Sequence, residues 1–147
     1  MYKVFADKLL DFAERHAEEI ARQWCKSIRT SPRTPSYHSI PEEECFPQAA
    51  LFYRNLRRLY FSEEPFREAS AYFTQYAQAR NAEGIPLHEA IYALILMRRH
   101  IWVFADFQAL FISAADLYQA VESINRVVLI FDYAIYIVTR KYQELSK

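Results

Sequence analysis

Glycine, unbalanced charge, cysteine motifs and long apolar runs are all scarce in this chain, and each scarcity narrows what it can be. Gly84 is the only glycine among 147 residues. Long stretches lack both glycine and proline, so helices are favoured, and tight hairpin turns, which need residues at positive φ, are nearly excluded. Eighteen basic residues balance eighteen acidic ones, leaving no net pull toward nucleic acid or an anionic membrane. The most basic patch, Arg54, Arg57 and Arg58, reads as a solvated helix face. Cys25 and Cys45 show neither CxxC nor Cys/His spacing, so no zinc site or redox pair is signalled. Reduced thiols in a cytoplasmic protein are the expectation. The start, MYKVFADKLLDFAERH, becomes charged too soon for a signal peptide. The longest apolar stretch, Val127 to Val138, is broken by Asp132 and falls short of the roughly 20 residues that a membrane helix needs. G-x-S-x-G, H-E-x-x-H, Walker and Cys/His dyad patterns are all missing, so no enzyme is expected and no metal is called for.

What remains is abundant apolar surface, 52% of the residues, on a chain long enough to bury a core without staples. A single all-α domain over 1–147 follows. The first helix is expected over Val4 to Ile28, where Phe5, Leu9, Phe12, His16, Ile20 and Trp24 recur three and four apart. His16 on that stripe reads as a core histidine. Thr30 to Ile40 is the one extended loop. Ser39-Ile40-Pro41-Glu42 has the form of a capping box opening a second helix to Tyr60, with Pro47 a candidate kink. Ser62-Glu63-Glu64-Pro65 announces a third helix to Glu83. It ends at Gly84, a left-handed C′ residue, and Pro86 suits the first position of a fourth helix reaching Phe111. Gly84 and Pro86 thus form a structural hinge. Ser113 to Asp116 offers caps for a long fifth helix.

That last helix is the most regular: Leu117, Val121, Ile124, Val128, Phe131, Ile135 and Val138 alternate spacings of four and three, a heptad-like seam. Ala120, Val127, Ala134 and Ile137 add a second apolar row, so one row can serve the core and the seam can serve another chain. A homodimer through this seam is expected.

Polar groups on apolar stripes mark the candidate site. Arg80 shares a stripe with Phe73, Tyr76 and Ala77, and Arg98 lies in line with Leu94, Ile95 and Trp102. A buried guanidinium must be paired, and Glu83, Asp106 and Asp132 are the candidate partners. Asn125, Asp132 and Tyr136 place an amide, an acid and a phenol beside the seam. Together these residues read as an internal polar network or as a small anion pocket. Haem is the chemical alternative, since His88 and His100 fall on a hydrophobic helix of an all-α domain.

The run from Arg80 to Glu89, R-N-A-E-G-I-P-L-H-E, resembles the "R-x-x-E-G-[IV]-P-L-x-E" signature of the RsbR-type (RsbRD) N-terminal sensor domains of bacterial stressosomes. Trp24, the Arg98 to Trp102 stretch, Ile124-Asn125 and Phe131-Asp132 extend the resemblance over most of the chain. It implies a haem-free, globin-like bundle of five or six helices, with no cofactor and a dimer formed by the final helices. It also implies a role in signal input or protein interaction, with an output or regulatory partner of STAS, kinase or phosphatase type.

Overall fold

The computed structural model describes the backbone of residues 10–107 and 114–146, and the side chains of 10–104 and 125–146. Among the described residues the elements are all helical. Residues 10–15 lead into α1 (Ala17–Thr30), a 3-10 turn spans Pro35–Tyr37, and α2 (Glu42–Arg54) is followed by the short α3 (Leu56–Tyr60). Then come α4 (Pro65–Ala82), α5 (Leu87–Phe107) and the long α6 (Ala114–Leu145). The fold is the all-α bundle with a long C-terminal helix that the periodicities imply.

Two helices depart from their expected form. The first helix is pinched at His16 (φ −109°), although hydrogen bonds from His16 to Phe12 and from Ile20 to His16, both 3.0 Å, carry the ladder through. Its expected start, residues 4–9, lies outside the described residues, as does the end of the fourth helix beyond 107. The second helix divides at Asn55, whose side-chain Nδ2 donates to the Leu51 carbonyl at 2.8 Å. A short amide that bonds the preceding turn competes with the backbone ladder, and here it marks the break. The Ser39 capping box does not form: Pro41 is the N-cap of α2 without a side-chain cap, and Glu42, Glu43 and Glu44 crowd the positive end of the helix instead.

The turn after α4 follows the sequence closely. Gly84 has φ 78°, its N–H donates to the Asn81 carbonyl, and Ile85 N–H reaches back to the Arg80 carbonyl, both at 3.0 Å. This pair of bonds is the Schellman closure, and the buried Ile85 supplies its apolar contact.

α1 packs on α2 and α4 on α6, while α5 touches both α1 and α6. Two aromatic donors fasten α1 and α2 to α5: Trp24 Nε1 donates to the Ala93 carbonyl and Tyr53 Oη to the Met97 carbonyl, each at 2.8 Å. Phe52 meets Phe131 edge-on at 5.6 Å between α2 and α6. The expectation of separate reduced thiols is corrected here. Cys25 and Cys45 are joined as a disulfide between α1 and α2, with Cα atoms 6.2 Å apart. The two lie on different helices that tertiary packing brings together, a juxtaposition that no spacing motif encodes. No helix of the described residues is long and apolar enough to cross a membrane.

Candidate functional site

Arg80 sits in the last turn of α4 with 5% of its surface exposed. An ion this deep needs close partners. Its Nη1 donates to Gln48 Oε1 on α2 and its Nη2 to Glu83 Oε1, each at 2.8 Å. The guanidinium also lies over the ring of Tyr76, 5.4 Å from its centroid, because residues four apart stack on one helix face. Burial works against its charge, but Tyr76 and Glu83 outweigh burial and its pKa is raised.

Three other segments converge on this arginine. From the 3-10 turn comes Tyr37, buried and pushed up to about 12 chiefly by burial. Tyr37 neighbours Tyr76 electrostatically, but the Tyr76 hydroxyl donates to the Ala90 carbonyl at 3.0 Å, and Tyr37 Oη has no hydrogen-bond partner among the described residues. From α5 comes Glu89, 3% exposed, which accepts from both the backbone N–H and the hydroxyl of Ser36 at 2.7 Å. From the end of α6 comes Tyr142, whose hydroxyl donates to the Ile85 carbonyl at 2.8 Å. Burial raises its pKa to about 12, with Tyr37 adding to the rise. The result is a buried knot of tyrosines, one ion pair and a carboxylate-held loop that ties the 34–37 loop, the α4–α5 turn and the tip of α6 together.

Of the residues expected to form the network, Arg80 and Glu83 are in it. Arg98 is half-buried and takes no part in the bonds of Arg80. The side chain of Asp106 lies outside those described. Asn125, Asp132 and Tyr136 are exposed on the outer face of α6, and among the described residues the bonds of Arg80 go to Gln48 and Glu83 instead. Tyr37, Gln48, Glu89 and Tyr142 join the site without standing out in the sequence as site residues. The phenol at 142 continues the α6 seam and reads there as packing, and the loop residues carry no periodic signal.

The dimer seam divides. Phe131 and Val138 are fully buried in the chain's own core, together with Val127, Ile130, Ala134 and Ile137. Val128 and Ile135 are half-buried. Leu117, Val121 and Ile124 lie outside the described side chains. Among the described residues the large apolar side chains that α6 leaves exposed are instead Leu129, 40% exposed, Tyr136, 55% exposed, and, at its C-terminal end, Leu145, 41% exposed. Phe66 of α4 packs beside α6, 5.2 Å from Tyr133 and 6.2 Å from Tyr136.

The two histidines of the haem alternative do not converge. His88 is exposed in the first turn of α5, while His100, about 18 Å further along the helix axis, is half-buried with Nε2 2.7 Å from Ser27 Oγ. The residues present do not fit a shared axial site. Among the described residues no group of three or more metal-ligating side chains gathers. Comparison with known family models, curated proteins and solved structures finds no match.

Proposed function

We propose that the chain is a non-catalytic sensory or protein-interaction domain of bacterial signal transduction, a haem-free globin-like module of the RsbR type that pairs with a second copy through α6. The observation that carries this reading is the Tyr142 to Ile85 bond. It fastens the C-terminal end of the longest helix to the turn beside the buried Arg80, so a change at the knot is felt at the tip of α6. The stretch that resembles the RsbR-type signature, Arg80 to Glu89, is also the stretch that builds the knot. The bond and the resemblance meet in that one stretch and support the same assignment.

On this reading the pairing surface is the outer stripe of α6, Leu129 and Tyr136 flanked by Val128 and Ile135, rather than the buried Phe131 and Val138. Two discrete packings of the α6 pair, biased from the knot, would pass a signal to a STAS, kinase or phosphatase partner. On this reading the domain works in the cytoplasm, a compartment in which a disulfide such as Cys25–Cys45 is unusual. Light scattering over a hundredfold range of protein concentration, a span of about 2.7 kcal/mol in association free energy, is the test. A dimer that dissociates on dilution is expected, and a monomer throughout would sink the proposal.

A further inference from the structure

α2 is anchored on α1 and α4 on α6, so the outer faces of α2 and α4 look at each other across an open trench. One hollow, about 310 Å³, is bounded by Leu51, Phe52, Leu59 and Tyr72. A second, about 280 Å³, is bounded by Gln48, Leu51, Tyr72, Tyr76 and Ala79. The hollows share Leu51, Tyr72 and Gln75, and Leu51 is 55% exposed at their junction. The charged groups of the lining, Arg58 and Glu68, pair with each other at 3.4 Å, and the other polar groups are side-chain amides and tyrosine hydroxyls.

We infer that this trench is a binding site for a small uncharged molecule with a planar apolar body and one carbonyl or hydroxyl end. The body would lie on Leu51, Tyr72 and Tyr76, with the polar end at Gln48. The size is that of small-molecule sites. An ionic ligand would lose its hydration over this floor without gaining a counter-charge, whereas a neutral ring stacks on tyrosine at no such cost. Gln48 is the polar anchor because its Oε1 is already taken by Arg80, which leaves the NH2 group to donate to the ligand.

The same contact gives the site a route inward. Gln48 and Tyr76 are walls of the trench and also the hydrogen-bond acceptor and the ring platform of Arg80. A ligand held by the Gln48 NH2 group loads the same amide whose Oε1 accepts from Arg80 Nη1, and Arg80 Nε, buried without an acceptor among the described residues, offers the guanidinium no second anchor on that side. Occupancy of the trench thereby bears on the knot that holds Tyr142. The inference rests on the sensory reading for its purpose and not for the binding itself.

The probe is 1-naphthol, with 1-naphthoate as its charged counterpart, titrated into the isotopically labelled full chain and followed by amide chemical shifts. Saturable shifts around Leu51 and Gln75, with a further shift at Tyr142, are expected. Naphthoate should bind at least about tenfold more weakly. Leu51→Trp, which fills the junction from an exposed position, should weaken naphthol binding by about tenfold or more with its melting temperature unchanged. Absence of saturable shifts, shifts that survive Leu51→Trp, or equal binding of the naphthoate would each overturn the site. If the trench resonances move with protein concentration alone, its occupant is a second copy and the inference fails. Light scattering on the same samples separates the two proposals. Naphthol binding by a monomer leaves this site standing and sinks the dimer, and a dimer without naphthol binding does the reverse.

Discussion

The hydroxyl of Tyr142 and the carbonyl of Ile85 meet at 2.8 Å across 57 residues of sequence. Ile85 is buried, and its carbonyl needs a donor where the chain turns out of the Gly84 closure. Tyr142→Phe keeps the ring and removes only that donor. A loss of about 1 kcal/mol is expected in urea denaturation, the usual worth of one such bond. If the sensory reading holds, the variant also uncouples α6 from the knot, so the response of the α6 tip to a ligand should vanish while binding persists.

Arg80 gives a larger effect. Arg80→Ala strips Gln48 and Glu83 of their shared donor and opens space over Tyr76, and a loss of about 3 kcal/mol is expected, at the low end for a broken buried pair because Glu83 can return to water. Arg80→Lys keeps the charge but lacks the fork that reaches Gln48 and Glu83 at once. It should recover less than half of the loss. If Arg80→Lys matched the unaltered protein in denaturant titrations, the fork geometry would not be what holds the site.

Much of this fold is legible in the sequence, because a 3.6-residue apolar period and a single Gly-x-Pro turn leave few alternatives. The run Arg80 to Gly84 reads as a helix end with a buried arginine, and both features are present. The other side of the knot is hidden for a physical reason. Tyr37 and Ser36 sit in an aperiodic loop, and Glu89 lies in a helix first turn where acids are common anyway. Nothing local says that such groups meet. On α6, periodicity finds the apolar rows but does not say which row faces inward, so Phe131 and Val138 read as interface and belong to the core. Asn125, Asp132 and Tyr136 read as neighbours of the arginines because they share a stripe with one another, which says nothing of what the stripe faces.

Gly84 isolates a backbone effect. Its φ is 78°, and a Cβ placed there meets nothing within 4 Å. Substitution therefore costs conformational energy alone. Gly84→Ala should destabilise by about 1 kcal/mol, and Gly84→Asn by less, since asparagine tolerates the left-handed region. Thermal melts of the two variants check the ranking, and equal effects would mean that the turn relaxes out of the Schellman geometry.

His100 sets a pH dependence. Burial, with Arg99 beside it, lowers its pKa from the ordinary 6.5, and Nδ1 is buried without a hydrogen bond among the described residues. The folded chain thus holds the neutral ring, while the unfolded chain takes up a proton near pH 6.5. This group's contribution is complete above that pH and is lost as the pH falls below it. Denaturant stability should decline on acidification from about pH 7 to about pH 5. His100→Gln, which can still bond Ser27, should flatten that part of the profile, and an unchanged slope would assign the loss to other groups.

The two faces of α6 make opposite predictions for residues little more than one helical turn apart. Phe131 is 1% exposed and lies edge-on to Phe52. Phe131→Ala opens a cavity in the monomer and is expected to cost about 3–5 kcal/mol, with the association constant measurable only after allowing for unfolding. Tyr136 is 55% exposed and carries Arg140 over its ring at 5.4 Å. Tyr136→Asp removes that ring from the outer stripe and sets a second carboxylate one turn from Asp132. Its effect on monomer stability should stay within about 0.5 kcal/mol, while the dimer, if it forms on this face, weakens by at least about tenfold. Sedimentation velocity on the folded variant reads this directly. A dimer undisturbed by Tyr136→Asp and by Leu129→Arg would move the interface off this stripe.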